Sequence, residues 1–206
     1  MINGQTEKMI IFGCGGHARS IINTIVQNGE SKEIIIVDSN GGENESILGF
    51  KVRNAYVLEE NDSYIVAIGN NSKRTKVYKM LEEESGNSVA VISKYSLIGE
   101  GVEIGKGVFI APNTYIGPLV KIGVNTIINT ASVVEHEVTI GNNTHIAPSV
   151  TICGRVKIGN NVFCGVGCKI VDNVSICDNV TLGAGTIVID DIIESGTYVG
   201  IPAKKV

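Results

Sequence analysis

The chain has 206 residues, enough for one large or two small domains, and a formal net charge of −4 at pH 7. This acidic balance gives no electrostatic footprint for nucleic acid, so we expect no nucleic-acid partner. No apolar stretch is long enough to span a membrane and the N-terminus has no signal-peptide pattern, so a cytoplasmic location is the default expectation. The five cysteines form no C-x-x-C pair, which favours reduced thiols.

The first half of the chain alternates predicted strands and helices, which implies a small parallel α/β sheet. Apolar runs predict buried strands at 9–12, 34–37 and 64–68. The polar residues 1–8 before them are expected to be loose.

Two helices are predicted between and after these strands. Apolar residues at helical spacing (Ile21, Ile22, Ile25 and Val26) indicate a helix that ends at Gly29. The second helix is predicted over about 72–85. Its inward side chains are expected to be Val77, Met80 and Leu81.

A glycine-rich turn follows the first predicted strand. Gly13, Gly15 and Ala18, with Asp38 after the second strand, loosely match the dinucleotide fingerprint, in which small residues let the backbone approach a phosphate. Only one mononucleotide-binding half is present, which disfavours a nicotinamide oxidoreductase and suits a sugar nucleotide. A tight strand–helix connection without a ligand is the alternative. The residues predicted to bind the substrate are Gly13, Gly15, Gly16, His17, Asp38, Gly69 and Asn70.

A repeat of six residues organises the second half of the chain. Every sixth residue from Ile92 to Leu182 is Ile, Val, Cys or Leu, and Ser, Val, Thr or Cys stands four places after it. A period of six does not fit an α-helix, but it fits a short strand followed by a bend. One hexad cannot cover its own apolar face, so the repeats must stack. We predict an α/β domain over 1–87 and a parallel β-helix over 88–206.

Four segments carry a family resemblance: Phe12-Gly-Cys-Gly-Gly-His17, Ala67-Ile-Gly-Asn70, Asn129-Thr-Ala-Ser-Val-Val-Glu-His-Glu137 with His145-Ile-Ala-Pro148, and Gly200-Ile-Pro-Ala203. The chain resembles the sialic acid O-acetyltransferase-like branch of the hexapeptide acyltransferases, which includes N-acetyltransferases of nucleotide-linked 4-amino-4,6-dideoxy sugars. The resemblance implies a Rossmann-like half domain and a left-handed parallel β-helix with three hexads per coil. It also implies acetyl-CoA as cosubstrate, no metal, and a homotrimer with CoA between neighbouring solenoids.

With three hexads per coil, residues eighteen apart stack, which places the backbone N–H of Gly154 one rung from His136. Such a pair suits a general base for an attacking amine and a donor for the developing oxyanion. Glu135 and Glu137 flank the ring, and the resemblance favours Glu137 as its partner. A solvated surface histidine is the alternative reading of His136.

The resemblance further implies contacts with acetyl-CoA from Asn129, His145, Gly154, Ala184 and Lys204. For His145, a loop position at a subunit interface is the rival interpretation.

The predicted activity is therefore acetyl-CoA-dependent N-acetylation of the 4-amino group of a dTDP- or UDP-linked 4-amino-4,6-dideoxy sugar by direct transfer. One alternative is an O-acetyltransferase of sialic acid or another glycan, and another is a non-catalytic binding module. A γ-class carbonic anhydrase would need three histidine ligands for zinc, whereas the predicted solenoid holds only His136 and His145.

Overall fold

A computed structural model describes residues 7–30, 32–42 and 45–206. Most of the segment predicted to be loose, 1–8, lies outside these residues. Within them, no helix is both long and apolar enough to cross a membrane.

The first half forms a six-stranded sheet with two helices. Its elements in chain order are β1 (Lys8–Phe12), α1 (Gly16–Asn28), β2 (Glu33–Val37), β3 (Ser46–Ile47), β4 (Phe50–Arg53), β5 (Ser63–Val66), α2 (Asn71–Leu81) and β6 (Asn87–Ser88). The strand order is β3-β4-β2-β1-β5-β6, and β1 pairs in parallel with both β2 and β5. The three predicted strands are thus confirmed, and their carboxyl ends meet at one edge of the sheet.

The helices confirm one predicted boundary and correct another. Gly29 ends α1 in the left-handed conformation, with φ 80°, and its N–H donates to Val26 O. The second helix ends at Leu81 instead of near residue 85. Met80 was wrongly predicted to face inward, because it is 61% exposed. The inward stripe of α2 consists of Arg74, Tyr78 and Leu81.

The second half forms a parallel β-helix of short strands. In chain order they are β7 (Val91–Ile92), β8 (Leu97–Ile98), β9 (Glu103–Ile104), β10 (Phe109–Ile110), β11 (Tyr115–Ile116), β12 (Lys121–Ile122), β13 (Ile127–Ile128), β14 (Val133–Val134), β15 (Thr139–Ile140), β16 (His145–Ile146), β17 (Thr151–Ile152), β18 (Lys157–Ile158), β19 (Phe163–Cys164), β20 (Lys169–Ile170), β21 (Ser175–Ile176), β22 (Val180–Leu182), β23 (Ile187–Val188), β24 (Gly196–Val199) and β25 (Lys204–Lys205).

These strands build three faces. The first face contains β7, β10, β13, β16, β19, β22, β24 and β25; the second contains β8, β11, β14, β17, β20 and β23; the third contains β9, β12, β15, β18 and β21. Paired residues stand eighteen apart, as in Val133 with Thr151, so three hexads make one coil as expected. We name each corner by the two faces that it joins.

The inward positions of the hexads form the solenoid core. Lead residues such as Ile110 and residues four places later such as Thr114 are almost fully buried, as predicted. The first coil is the exception, with Ile98 40% exposed, because β8 is the edge strand of the second face. Bends use residues with positive φ, and asparagine, which tolerates this conformation, is the commonest of them.

The two halves pack together over the first face of the solenoid. Residues of β1 and α1 share one apolar cluster with Val91, Phe109 and Ile127. The change from one sheet to the other takes place between Ser88 and Val91. The division of the chain into domains 1–87 and 88–206 stays a prediction.

Candidate active site

A cavity of about 850 Å³ lies at the carboxyl ends of β1, β2 and β5, and the glycine-rich turn lines it. Gly13 has φ 116°, and a Cβ added there would lie 2.9 Å from the carbonyl oxygen of Ala67, so only glycine fits. Gly15 and Gly16 have open space at their Cβ positions. Gly15 precedes α1 without a side-chain cap, and the first turn of α1 holds no acidic residue. Amide groups at such a helix start can bind an anion.

Asp38, directly after β2, is hydrogen-bonded to the glycine-rich turn. Its carboxylate accepts from the backbone N–H of Cys14 at 3.0 Å and of Asn40 at 2.9 Å. Burial raises the pKa of Asp38, but the hydrogen bonds from Asn40 and Cys14 outweigh it and hold the pKa below its usual value. Burial and the neighbouring Asp38 raise the pKa of Cys14 to about 11, so this residue lines the cavity as a thiol.

Gly69 and Asn70 follow β5 and differ in what they line. Gly69 lines the glycine-rich cavity and also a neighbouring groove between α2 and the first face, whereas Asn70 lines only the groove. The side chain of Asn70 accepts from Lys73 N at 3.0 Å and so caps α2. Two cations that sequence reasoning missed, Lys73 and Lys76, lie on the cavity wall formed by α2.

His17 lies in the first turn of α1, between the cavity and the solenoid. Its ring meets Phe109 edge-on at 5.1 Å between centroids and lies 6.4 Å from the ring of His145. Its buried Nε2 has no hydrogen-bond partner among the described residues. Burial, followed by the charges of His145 and Arg74, lowers the pKa of His17 to about 3.

His145 occupies the first face beneath the end of β5. Its Nδ1 is 3.0 Å from the carbonyl oxygen of Gly69, and its Nε2 is 3.4 Å from Nδ2 of Asn129. The ring of Phe163 stands edge-on to it at 5.3 Å. Burial lowers the pKa of His145 to about 4, although its bond to Gly69 opposes the shift. This histidine therefore lies at the junction of the two halves of the chain.

His136 lies on the second–third corner, and its side chain is 44% exposed. Its Nδ1 is 3.0 Å from Oε2 of Glu137. A Cβ added at Gly154 would lie 2.5 Å from both Cε1 and Nε2 of His136, so the ring covers this glycine. Among the described residues, the backbone N–H of Gly154 donates no hydrogen bond.

The three residues predicted to form the catalytic group are thus neighbours on one corner. His136 and Gly154 stack one rung apart, as their spacing predicts, and Glu137 is the glutamate that contacts the ring. Their catalytic roles stay predictions. The ring is 44% exposed, as the alternative of a solvated histidine also predicts.

The candidate acetyl-CoA contacts do not share one corner. Asn129 and the exposed Ala184 lie on the first–second corner, whereas Gly154 lies on the second–third corner. Lys204 is exposed in β25, and its neighbour Lys205 pairs with Glu194. A molecule that touches both corners must cross the second face.

The glycine-rich cavity and His136 are also far apart within one chain. The first half of the chain covers the first face, and the second–third corner is the corner opposite that face. Every residue that lines the cavity belongs to the first half of the chain. The cavity and His136 therefore lie on opposite sides of the same solenoid.

Arg74 is the other functional candidate that sequence reasoning missed. It is 1% exposed and joins α2 to the solenoid. The signal was present, because Arg74 precedes the buried Tyr78 and Leu81 at helical spacing.

Comparisons with known proteins agree with this architecture. Residues 8–81 match the family described as the PglD N-terminal domain. The structure is similar to PerB from Caulobacter crescentus in complex with CoA and GDP-perosamine, at 28% identity and a TM-score of 0.85 over 96% of each chain. It is also similar in fold to the acetyltransferase domain of PglB from Neisseria gonorrhoeae, at 24% identity and a TM-score of 0.92, covering 98% of this chain and 100% of that one. WeeI from Acinetobacter baumannii gives 24% identity and a TM-score of 0.89, covering 97% and 99%.

The family match contains the glycine-rich cavity and both helices, and the similar structures extend the likeness over the solenoid. Residues 8–81 therefore form a PglD-type N-terminal domain, and the chain is an acyltransferase similar over its length to PerB, as its sequence predicts.

Proposed function

We propose that the protein transfers the acetyl group of acetyl-CoA directly to the 4-amino group of a nucleotide-linked 4-amino-4,6-dideoxy sugar. The observation that carries this proposal is the stack of Glu137, His136 and the bare Gly154 on one exposed corner. The similarity to PerB, which was solved with CoA and GDP-perosamine, supports acetyl-CoA as donor and an amino sugar as the acceptor class.

The geometry supports a general-base mechanism. Nδ1–H of His136 donates a hydrogen bond to the carboxylate of Glu137, which leaves the Nε2 lone pair beside Gly154. This nitrogen takes a proton from the acceptor amine as the amine attacks the thioester carbon. The free N–H of Gly154 donates to the oxyanion of the tetrahedral intermediate. The C–S bond then breaks, and the imidazolium returns the proton to the departing sulfur of CoA.

The glycine-rich cavity is the proposed site of the sugar nucleotide. Its diphosphate would lie at the start of α1, between the glycine-rich turn and the cationic side chains of Lys73 and Lys76. Asp38, held ionised by its hydrogen bonds, would accept from hydroxyl groups of the nucleotide. His17, at the inner end of this cavity, would lie beside the sugar.

The separation of this cavity from His136 supports a homotrimer with shared sites. The outward residues of the third face are polar: Glu103, Lys121, Thr139, Lys157 and Ser175. On the second face, by contrast, Leu97 is 69% exposed and Tyr115 is 36% exposed, and Leu119 on the adjoining corner is 58% exposed. Such an apolar patch marks an association surface. A neighbouring solenoid on this face would place acetyl-CoA between corners of two chains, with the sugar nucleotide from one subunit and His136 from another.

A panel of acceptors tests the proposal. The purified protein is incubated with acetyl-CoA and UDP-, dTDP- or GDP-linked 4-amino sugars, or with free or CMP-linked sialic acid, and released CoA thiol is measured. We expect release with at least one amino sugar, and a product that withstands mild base, as an amide does and an ester does not. Transfer to sialic acid alone would make the protein an O-acetyltransferase. Acetyl-CoA binding without transfer to any acceptor would make it a binding module.

A further inference from the structure

Arg74 is a buried cation without a carboxylate partner among the described residues. Its side chain is 1% exposed, and burial lowers the pKa of its guanidinium to about 10. A buried charge is costly unless it is fully hydrogen-bonded. The guanidinium donates to Asn125 O at 2.9 Å, Asn143 O at 2.8 Å, Thr144 O at 3.3 Å, Ile68 O at 3.1 Å, Gly69 O at 3.2 Å and Asn71 Oδ1 at 2.9 Å. It therefore ties the rim of the glycine-rich cavity to the third–first corner of the solenoid.

The carbonyl of Gly69 links Arg74 to His145. It accepts from Nη1 of Arg74 at 3.2 Å and from Nδ1 of His145 at 3.0 Å. A carbonyl oxygen can only accept, so Nδ1 of His145 carries the proton. In the neutral ring Nε2 is then the acceptor, and Nδ2 of Asn129 lies 3.4 Å from it. The contacts run without a gap from the cavity rim to the corner of Asn129.

The groups around the two buried imidazoles keep them neutral. Arg74 faces them from α2, His17 and His145 face each other, and Asn129 and the ring of Phe163 complete the surroundings of His145. In the described part of the chain no carboxylate is hydrogen-bonded to either ring. A proton added to Nε2 of His145 would place an N–H against the N–H donors of Asn129, close to the charge of Arg74.

We propose that Arg74 is a positioning residue for acetyl transfer: through the carbonyl of Gly69 it holds His145 neutral with its proton on Nδ1, and so aligns the nucleotide-sugar cavity with the acetyl-CoA contacts at Asn129. The benefit for turnover rests on the proposed function, whereas the state of His145 does not. Arg74 affects the His145 ring in two ways: its charge disfavours a second proton on the ring, and its hydrogen bond to Gly69 O fixes the carbonyl that accepts from Nδ1.

Nitrogen NMR of histidine-labelled protein tests the state of His145 without turnover. The His145 signals are assigned by their loss in His145→Gln. We expect the wild-type ring to be neutral with its proton on Nδ1 from pH 7 to pH 5. Arg74→Met should raise the pH at which the ring takes up a second proton by roughly 1 unit, because a like charge has gone. A wild-type ring that carries its proton on Nε2, or that is protonated at pH 6, would overturn the proposal even if no Arg74 variant folds.

Asn28→Ala is the matched control for loss of contacts between the two halves. The Asn28 side chain donates to Ile92 O at 2.8 Å and accepts from Lys94 N at 2.9 Å, so it also ties a helix to the solenoid, at the far end of the junction from His145. We expect this variant to be less stable but to keep the His145 tautomer. If Asn28→Ala shifts the pH at which His145 takes up a second proton as much as Arg74→Met does, Arg74 is only a general structural contact.

A double-mutant cycle tests the link to turnover. Arg74→Lys keeps the charge but lacks the planar guanidinium that donates to several carbonyl oxygens at once. We expect it to lower kcat about tenfold, and to lower it no further in a His145→Gln background. Independent effects that multiply would show that Arg74 does not act through His145. A wild-type protein that lacks acetyl transfer but shows the expected His145 signals would overturn the proposed function, and only the effect of Arg74 on the state of His145 would stand.

Discussion

His136 and His145 belong to the same solenoid and lie in opposite environments. His136 stands on an exposed corner, with a carboxylate on one ring nitrogen and a bare glycine beneath the other. His145 lies under the first half of the chain, and its Nδ1 donates to the carbonyl of Gly69. Burial and a nearby cation lower the pKa of His145 to about 4.

This difference separates two chemical roles. His136 has Glu137 at Nδ1 and presents its other ring nitrogen beside Gly154, which is the arrangement proposed for a general base. A ring between a carbonyl and Arg74 is stabilised only while neutral. The hexad repeat sets the position of each side chain, but the first half of the chain buries His145 and leaves His136 exposed. Variants of the two rings should therefore fail in different ways.

The largest effect is expected for His136→Ala. Removal of a general base typically lowers turnover by about 10²–10⁴-fold. Acetyl-CoA binding, measured by calorimetry, should stay close to wild type because the ring acts on the acceptor amine. Turnover within a few-fold of wild type would contradict the assignment of the base.

Gly154→Ala should lower turnover by about 10²-fold. The added Cβ would lie 2.5 Å from Nε2 of His136, so the ring must move, and a displacement near 1 Å suffices for such a loss. The steady-state rate of the double variant with His136→Ala should equal that of His136→Ala alone. A further loss in the double variant would mean that the alanine acts by some other route.

A smaller effect, roughly tenfold in kcat, is expected for Glu137→Gln. The amide keeps the size of the side chain but loses the charge that stabilises a protonated ring, and a hydrogen bond to a charged group contributes about 1.5 kcal/mol or more. Glu135→Gln is the matched control, because Glu135 flanks the same ring but forms no hydrogen bond or ion pair with it in the described structure. Equal losses in the two variants would show that general surface charge, not the contact with His136, is responsible.

The sequence predicts the solenoid almost completely, because every hexad repeats the same pattern of inward residues. The strands fall on the lead residue and the residue before it, and the stacking of His136 over Gly154 follows from one repeat length. The first half of the chain has no such repetition. There the prediction of an inward Met80 failed, because α2 buries Arg74, Tyr78 and Leu81 and leaves Met80 exposed.

Contacts between the two halves of the chain could not be predicted from the sequence. Arg74 reaches Asn143, and His145 reaches Gly69, across long separations that carry no periodic signal. The predicted contact of His145 with acetyl-CoA stays a prediction, but the sequence did not indicate that its ring also meets Gly69 at the junction of the two halves. Its neutral state depends on those contacts, so it could not be read from the motif.

The smallest effect is on stability, and it concerns the buried rings alone. The pKa values of His17 and His145 lie near 3 and 4, below the 6.5 of an unfolded chain. As pH falls below about 6.5 the unfolded chain takes up these protons first, so the free energy of unfolding decreases until the pH reaches the folded-state values. Above 6.5 the contribution is fully present. Between pH 7.5 and pH 6 the contribution of each ring to the free energy of unfolding should fall by about 0.8 kcal/mol, as linkage requires.

Urea titrations of the wild type, His17→Gln and His145→Gln at these two pH values would measure this loss. Each variant should show a smaller decrease than the wild type by about 0.8 kcal/mol, because a glutamine does not titrate. Asp38 does not interfere, since its pKa is held below 3.8 and outside this range. If all three proteins lose the same free energy, the two rings take up protons while folded. In that case the contrast between an exposed base and a buried neutral ring would not hold.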